Sequence, residues 1–489
     1  MTSEPVPHVD PHHGRRWHIL ALLGVAQLML VLDATIVNIA LPSAQQSLHF
    51  SNDSRQWIIT AYALAFGSLL LLGGKLGDLF GRKWTFSAGL IGFTVASAFG
   101  GLAQSFGMLV AARALQGTFG ALLAPSALSL LTVTFAGTPD RAKAFGIFGA
   151  IAGGGASGGL ILGGFLTEVL SWRWCLYVNL VIAVPAVFFV LRLLHNEGHP
   201  QRPRIELPGV LVGSAGLFAL VYGFSSAETH SWTTPATIVS LVAGVALLIA
   251  FVLIERSTKD PLLPLHIVLD RARGGAYGSI ALAGSGVFGV FLFLTYYMQQ
   301  NLGFSPLKTG LAFLPMTGMI VVTATTVQTR LLHRTGAKPL VAAGMALGVV
   351  AMVLFTGLQP GADYATHVLP GLLMIGLGMG CIFAPCFATA TLGVERNKAG
   401  IASAMVNTSQ QVGGSLGTAL LSTLFASAAR TYATSHPPVP GLRAAAMVHG
   451  YTVAFWWAAG IFAVGLLVAL LVLPPGRTSR FVELADSPT

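Results

Sequence analysis

Apolar residues in this chain do not alternate or keep to one stripe. They run almost unbroken for about twenty residues at a time, between short clusters of Arg, Lys, Asp, Pro and Gly. A helix of that length, rising 1.5 Å per residue, matches the roughly 30 Å hydrocarbon core of a bilayer. Fourteen such runs are predicted, over 17–41, 55–74, 84–103, 108–133, 144–166, 173–194, 208–226, 236–254, 276–299, 308–328, 339–358, 367–390, 400–426 and 451–473. The pattern predicts an all-α polytopic membrane protein with the lipid bilayer as its partner surface.

Composition agrees. The 489 residues are 54% hydrophobic and 9% charged, against roughly 25% charged in soluble domains, so this chain could not cover its surface in water. The three cysteines, Cys175, Cys381 and Cys386, sit inside apolar runs and offer neither a disulfide framework nor a zinc site. The first fifteen residues are polar, and the run after them is too long for a removable signal peptide. His8, His12 and His13 in that tail read as solvated residues, and no metal is expected. The net charge of +10 would suggest nucleic acid in a soluble chain, but here it reports topology and no nucleic-acid partner is expected. With the N-terminus in the cytoplasm, 21 of the 27 Lys and Arg residues fall inside, five (Arg55, Arg173, Lys308, Arg430 and Arg443) at the outer ends of the runs or in outer loops, and Arg113 alone deep within a run. The positive-inside rule then places both termini in the cytoplasm, and the chain in the plasma (inner) membrane.

Segments of the chain return about 255 residues later. "DRAKAFGI" at 140–147 is echoed by "ERNKAGIA" at 395–402, "GALLAP" at 120–125 by "GCIFAP" at 380–385, and "KLGDLFGRK" ending at Lys83 by "RLLHRTGAK" ending at Lys338. Six runs occupy only about 195 residues here, so the offset leaves room for two further helices between two repeats. The predicted organisation is a tail (1–16), a six-helix bundle (17–200), two inserted helices (201–260), a second six-helix bundle (261–473) and a tail (474–489). Such parallel repeats occur in transporters that rock two bundles about a midplane site.

Three motifs in order carry a resemblance. "LDATIVNIALP" (32–42), "GKLGDLFGRKWTF" (74–86) and "RALQGTFGA" (113–121) resemble the first-helix, loop and fourth-helix signatures of the major facilitator superfamily, and within it of the fourteen-span drug:proton antiporters. The loop motif places Gly74, Asp78, Gly81, Arg82 and Lys83 on its expected positions. Gly146, Gly155, Gly159, Gly163 and Gly164 fall on the glycine spacing of the antiporter motif of helix five, although Leu160 stands where that family usually has proline. "SWRWCLYVNLVIA" keeps Trp172, Arg173, Trp174 and Asn179, with Val181 where a second proline is common. The resemblance implies export of amphipathic or cationic organic compounds by proton antiport, with Arg113 coupling protonation to substrate and Asp78 and Arg82 helping to latch the cytoplasmic gate.

The residues point the same way. Asp33 is the one acid well inside a run, about 25 Å along the first helix, where a carboxylate is costly to ionise and is a candidate proton carrier. Arg113 needs a compensating partner at a depth where a charge costs at least about 2.5 kcal/mol. Asp140 and Arg141, in the next cytoplasmic loop, are expected to join Asp78, Arg82 and Lys83 in a gate network, since a lone surface pair is worth only about 0–1 kcal/mol. The glycines of helix five suit a close, slideable contact between the halves, with "QQVGGSLGTAL" (410–420) as their counterpart. Gln27, Asn38, Tyr62, Gln116, Tyr297, Gln300 and Gln410 are candidate substrate contacts. No G-x-x-x-x-G-K-[ST] loop is present, so the expected energy source is the proton gradient, with protons and small molecules as partners and no bound cofactor. One intramembrane acid and scattered histidines do not suggest an enzyme. The alternative reading is a dedicated exporter of one endogenous metabolite, antibiotic or lipid.

Overall fold

In the computed structural model, residues 15–51, 54–135, 138, 140–194, 207–229, 232–258, 268–391 and 399–475 are described. His8, His12 and His13 lie outside the described residues. The first eight helices are α1 (Arg16–Leu48), α2 (Gln56–Phe80), α3 (Arg82–Gly101), α4 (Phe106–Thr134), α5 (Arg141–Val169), α6 (Trp174–Leu193), α7 (Leu207–Thr229) and α8 (Pro235–Ser257). They are followed by α9 (Arg271–Tyr296), α10 (Pro306–Ala312), α11 (Leu314–Thr326), α12 (Leu332–Thr335), α13 (Ala337–Phe355), α14 (Leu369–Thr391), α15 (Ala399–Ser435) and α16 (Leu442–Leu471).

Among the described residues, ten helices are long and apolar enough to cross a membrane. Three shorter apolar segments, Trp57–Leu70, Gly158–Val169 and Pro208–Phe224, lie in α2, α5 and α7. The expected run 308–328 is broken at Phe313 into α10 and α11, with Pro315 in the first turn of α11. Single π-turns at Tyr297–Asn301, Val327–Leu331 and Tyr364–Val368 extend neighbouring helices. The last two helices outrun the prediction, so α15 continues to Ser435 and α16 begins at Leu442.

Helix starts follow from side chains that accept the otherwise orphaned first-turn amides. Ser105 accepts from the Met108 N–H, Asp270 from Arg273, Ser305 from Lys308, and Asp363 from Ala365 and Thr366. The turn between α2 and α3 is made by Gly81 at φ 89°, and that between α12 and α13 by Gly336 at φ 80°. Left-handed backbone of this kind favours glycine, and the two positions are 255 residues apart, the offset of the sequence repeat.

The same packing plan occurs twice. α1 lies on α5, α2 on α4, α3 on α4 and α6; correspondingly α9 lies on α15, α11 on α14, α13 on α14 and α16. Glycines permit the close approaches: Gly155, Gly159 and Gly163 face Val31, Leu32 and Ile36 of α1, while Gly413 and Gly417 face Ala281 and Ser285 of α9. The expected glycine contact between halves is therefore corrected. Three of these glycines pack within the first six helices, and among the described glycines of the motif only Gly164 meets the other set, where its α-carbon faces Pro306 and Leu307. A stripe at i, i+4, i+8 covers one helix face, and here α1 claims it. With leucine at position 160, α5 remains one unbroken helix.

The inserted pair packs through Gly216 against Leu248, Gly223 against Leu241 and Gly244 against Leu220. Its two helices differ in position. α8 exposes Val239, Val242 and Ile249, as lipid contact requires, whereas α7 lies along α2 and α15. There Ser214 Oγ donates to the Ser68 carbonyl at 2.6 Å, and Thr423 Oγ1 donates to the Phe224 carbonyl at 3.3 Å. α7 thus lies against one helix of each set, not only at the periphery.

The first six helices and α9–α16 meet mainly at the end of the molecule opposite Arg16 and Val472. One apolar core runs through the second set, reaching Tyr277 and Leu473, and at the far end takes in residues of both sets, including Ile39, Leu41, Ile58, Leu160 and Trp172 with Tyr296, Phe313 and Phe425. A second core, from Ile19 to Leu194, belongs to the first six helices alone.

Candidate functional site

α1 carries Asp33 at its middle with no solvent exposure. Arg113 and Gln116, three residues apart and so on one face of α4, point at it, together with Ser97 of α3 and Asn179 of α6. Arg113 Nη1 donates to Asp33 Oδ2 at 2.6 Å and to Gln116 Oε1 at 2.9 Å, while its Nε donates to the Ile58 carbonyl at 3.3 Å. Asp33 Oδ1 accepts from Gln116 Nε2 at 2.8 Å and Asn179 Nδ2 at 2.7 Å. Both amides also donate to Ser97 Oγ, at 2.7 and 3.2 Å, and that hydroxyl donates to the Phe93 carbonyl at 2.8 Å. The Tyr62 ring lies 4.3 Å from the guanidinium carbon, within cation–π range.

The polarity of this network is fixed. Gln116 takes an Arg113 N–H on its oxygen, so its nitrogen must face Asp33. Asp33 is surrounded by donors only, which suits the ionised carboxylate, and the guanidinium neutralises it. Removing one member of such a buried pair leaves a charge without a counter-ion, at a cost of about 3–5 kcal/mol. Asn179 Oδ1 has no hydrogen-bond partner among the described residues. Turned over, that amide would offer an acceptor to a protonated carboxyl.

The other expected residues divide. Gln116, read as a substrate contact, is instead engaged at both ends of its amide by Asp33, Ser97 and Arg113. Tyr62 is buried beneath Arg113. Asn38 is buried with its Nδ2 donating to the Ala34 carbonyl at 3.3 Å. Gln27 and Gln410 are half-buried on α1 and α15. Tyr297 sits in the aromatic core of the second set, its hydroxyl donating to the Gln359 carbonyl at 2.7 Å, and Gln300 is exposed in the following π-turn.

At the end carrying Arg16 and Val472, Gly74 packs near Pro125 and Gly81 makes its turn. Arg82 is half-buried, and Lys83 Nζ donates to the Leu191 carbonyl at 3.3 Å. Asp140 pairs with Arg16 at 2.8 Å, tying α5 to α1. The side chains of Asp78 and Arg141, and the surroundings of Gly146, lie outside the described residues.

Four residues were not singled out from sequence as site residues: Ser97, Asn179, Glu168 and Arg55. The last two close the far end. Glu168 Oε2 accepts the Leu307 N–H at 3.1 Å. Arg55, expected in an outer loop, is 3% exposed, with its guanidinium carbon 3.8 Å from the Tyr296 ring centre and 5.1 Å from that of Phe425. Tyr296 Oη donates to Gln45 Oε1 at 3.1 Å, and Gln299 Nε2 to the Ile39 carbonyl at 3.2 Å. Each of these contacts joins the first six helices to the second set.

Residues 23–418 match the family model described as Major Facilitator Superfamily, and the chain belongs to that family; it is a multi-pass membrane transporter. It is 47% identical over 477 residues to the puromycin resistance protein pur8 of Streptomyces alboniger, covering 97% of this chain and 94% of the relative. It is 39% identical over 412 residues to the cephamycin export protein CmcT of Amycolatopsis lactamdurans, covering 83% and 84%. The fold resembles a solved bacterial homologue of the human lysosomal transporter Spinster, with a TM-score of 0.64 and 15% identity over 97% of this chain and 99% of the other.

Proposed function

We propose that this transporter exports amphipathic or cationic organic compounds, drugs and antibiotics among them, in exchange for protons by alternating access. The observation that carries the reading is the buried Asp33–Arg113 pair with its ring of donors. In the arrangement described, every hydrogen bond found at Asp33 comes from a donor. Protonation removes its negative charge, weakens the hold on Arg113 and calls for an acceptor, which Asn179 Oδ1 can supply. Arg113 keeps the Ile58 carbonyl and the Tyr62 ring. One side chain thus has two bonding states of different charge, as a proton carrier coupled to helix movement requires.

In this reading the chain crosses the plasma (inner) membrane fourteen times, as two six-helix bundles and an inserted pair, with the termini in the cytoplasm. The sealed far end is then the external side, and the conformation faces the cytoplasm. The loop motif, with Asp78, Arg82, Lys83, Asp140 and Arg141, closes the cytoplasmic side in the opposite state. A proton entering is worth about 2.3 kcal/mol per 100 mV plus about 1.36 kcal/mol per pH unit, enough to drive export.

A second reading, a dedicated exporter of one antibiotic or metabolite, is favoured by the names of the two relatives, which specify puromycin and cephamycin. Inverted vesicles with an imposed pH gradient, offered puromycin, cephamycin and a panel of cationic dyes, distinguish the two. The main reading predicts gradient-dependent uptake of chemically unrelated cations; uptake of a single compound supports the second, and uptake that ignores the gradient contradicts both.

A further inference from the structure

Arg55 poses a problem that its role as a seal does not resolve. A guanidinium 3% exposed is expensive unless paired, yet no ion pair of Arg55 is found among the described residues, and its Nη1 has no hydrogen-bond acceptor there. Its charge is met by ring faces and by the hydroxyls of Tyr296 and Tyr451 beside it. Tyr296 lies at 3.8 Å and Phe425 at 5.1 Å, and behind them Phe425 stacks on Tyr451 at 4.9 Å and on Phe293 at 5.5 Å. All four rings belong to α9, α15 and α16, whereas Arg55 arrives from the opposite set, at the start of α2.

The geometry points to a binding site for organic cations at the external mouth: the box formed by Tyr296, Phe425 and Tyr451, filled here by Arg55 as a tethered substitute for the cation. The inference rests on the export reading and adds a site to it. When the far end opens, α2 withdraws from α9 and α15 and the guanidinium leaves the box. What remains is an electron-rich aromatic surface with no carboxylate among the described residues, suited to a soft, weakly hydrated cation with apolar substituents. Arg55 re-enters as the far end closes and competes with the departing compound, so the site binds only transiently and favours release. Ring faces hold a cation weakly, as an exit site must, since it has to let go.

The test uses purified full-length protein without any gradient, so its outcome is independent of proton coupling. Tetraphenylphosphonium is the probe and triphenylphosphine oxide its neutral control. Arg55→Ala is expected to bind tetraphenylphosphonium about tenfold more tightly than the unsubstituted protein and the neutral control unchanged, with Tyr296→Leu on the Arg55→Ala background reversing the gain. Arg55→Met, which keeps the apolar stem, serves if Arg55→Ala does not fold. A second measurement needs no change at Arg55: with spin labels at Ser51 and Ala433, tetraphenylphosphonium should lengthen the distance across the far end while the neutral control leaves it unaltered. An equal gain for the neutral compound, no gain for the cation in either variant, or a distance that ignores the cation would overturn the site. Failure of the export reading would appear separately, as absent transport by the unsubstituted protein in sealed vesicles.

Discussion

Asp33 and Arg113, eighty residues apart in the chain, meet at 2.6 Å inside the first six helices. Their partners in the network, Gln116, Asn179, Ser97 and the Ile58 carbonyl, also belong to those helices. The charge pair is therefore internal to one bundle and does not bridge the two sets. In the proposed cycle, protonation changes the packing of α1 against α4 and α6, and the effect on the opposite set passes through α1 and α5.

Arg113→Ala should lower stability by about 3–5 kcal/mol, because Asp33 is left as a buried carboxylate without a counter-ion. Adding Asp33→Asn should recover a large part of that loss. Thermal unfolding of the two single variants and the double variant in detergent checks this, and strictly additive losses would show that the pair is not energetically coupled.

Gly159 and Gly158 are adjacent but not equivalent. A Cβ at Gly159 would meet the Leu32 carbonyl at 3.0 Å and crowd Thr35, whereas at Gly158 it would meet only Leu32 Cδ2, at 3.5 Å. Gly159→Ala is expected to reduce both folded yield and transport, with Gly158→Ala near the unsubstituted level. Size-exclusion profiles and efflux rates of the two variants decide it; equal behaviour would remove the α1–α5 packing from the account.

Closure of the far end rests partly on two hydrogen bonds between the sets. Replacing Glu168 and Gln299 together by alanine removes the bonds to Leu307 N and the Ile39 carbonyl. Each is worth about 0.5–3 kcal/mol, so the population closed at that end should fall severalfold. Spin-label distances between Ser51 and Ala433 read the change, and an unaltered distribution would mean that apolar packing alone holds the closure.

The inserted helices should differ in their sensitivity. Val242 on α8 is 63% exposed, and Val242→Thr should change expression or melting temperature slightly and transport not at all. Ser214 on α7 bonds to α2, and Ser214→Phe should slow transport in protein that still folds, since α7 lies against helices of both sets. Selectivity should stay the same in both. A change in which compounds are exported would place these helices in the substrate path.

Much of this was legible in the sequence because a charge inside a lipid-spanning run is conspicuous: Asp33 and Arg113 stand out by the free energy they would cost unpaired. The glycine stripe and the repeat could be read from spacing, and Gly81 and Gly336, 255 residues apart, both turn the chain with positive φ. Ser97 and Asn179 were harder to recognise because neutral polar residues are tolerated singly in such helices, and only the fold brings them to Asp33. Gln116 was read as facing a cavity because helical spacing gives a face but not the neighbour that occupies it. Arg55 was assigned to a loop because charge at the edge of a run marks topology in sequence, and its burial depends on rings more than 240 residues away. The break at Phe313 follows from local turn geometry within an otherwise continuous apolar run.

The most direct test of the account is pH-gradient-driven uptake of a cationic substrate into inverted vesicles containing Asp33→Asn protein, beside downhill exchange of the same substrate without a gradient. Asparagine keeps the size of the side chain but removes the titratable group. The account predicts that, per folded protein, the response to the imposed gradient is lost while downhill exchange persists, even though Arg113 left without its counter-ion lowers stability. Gradient-driven uptake by Asp33→Asn at the rate of the unsubstituted protein would contradict it.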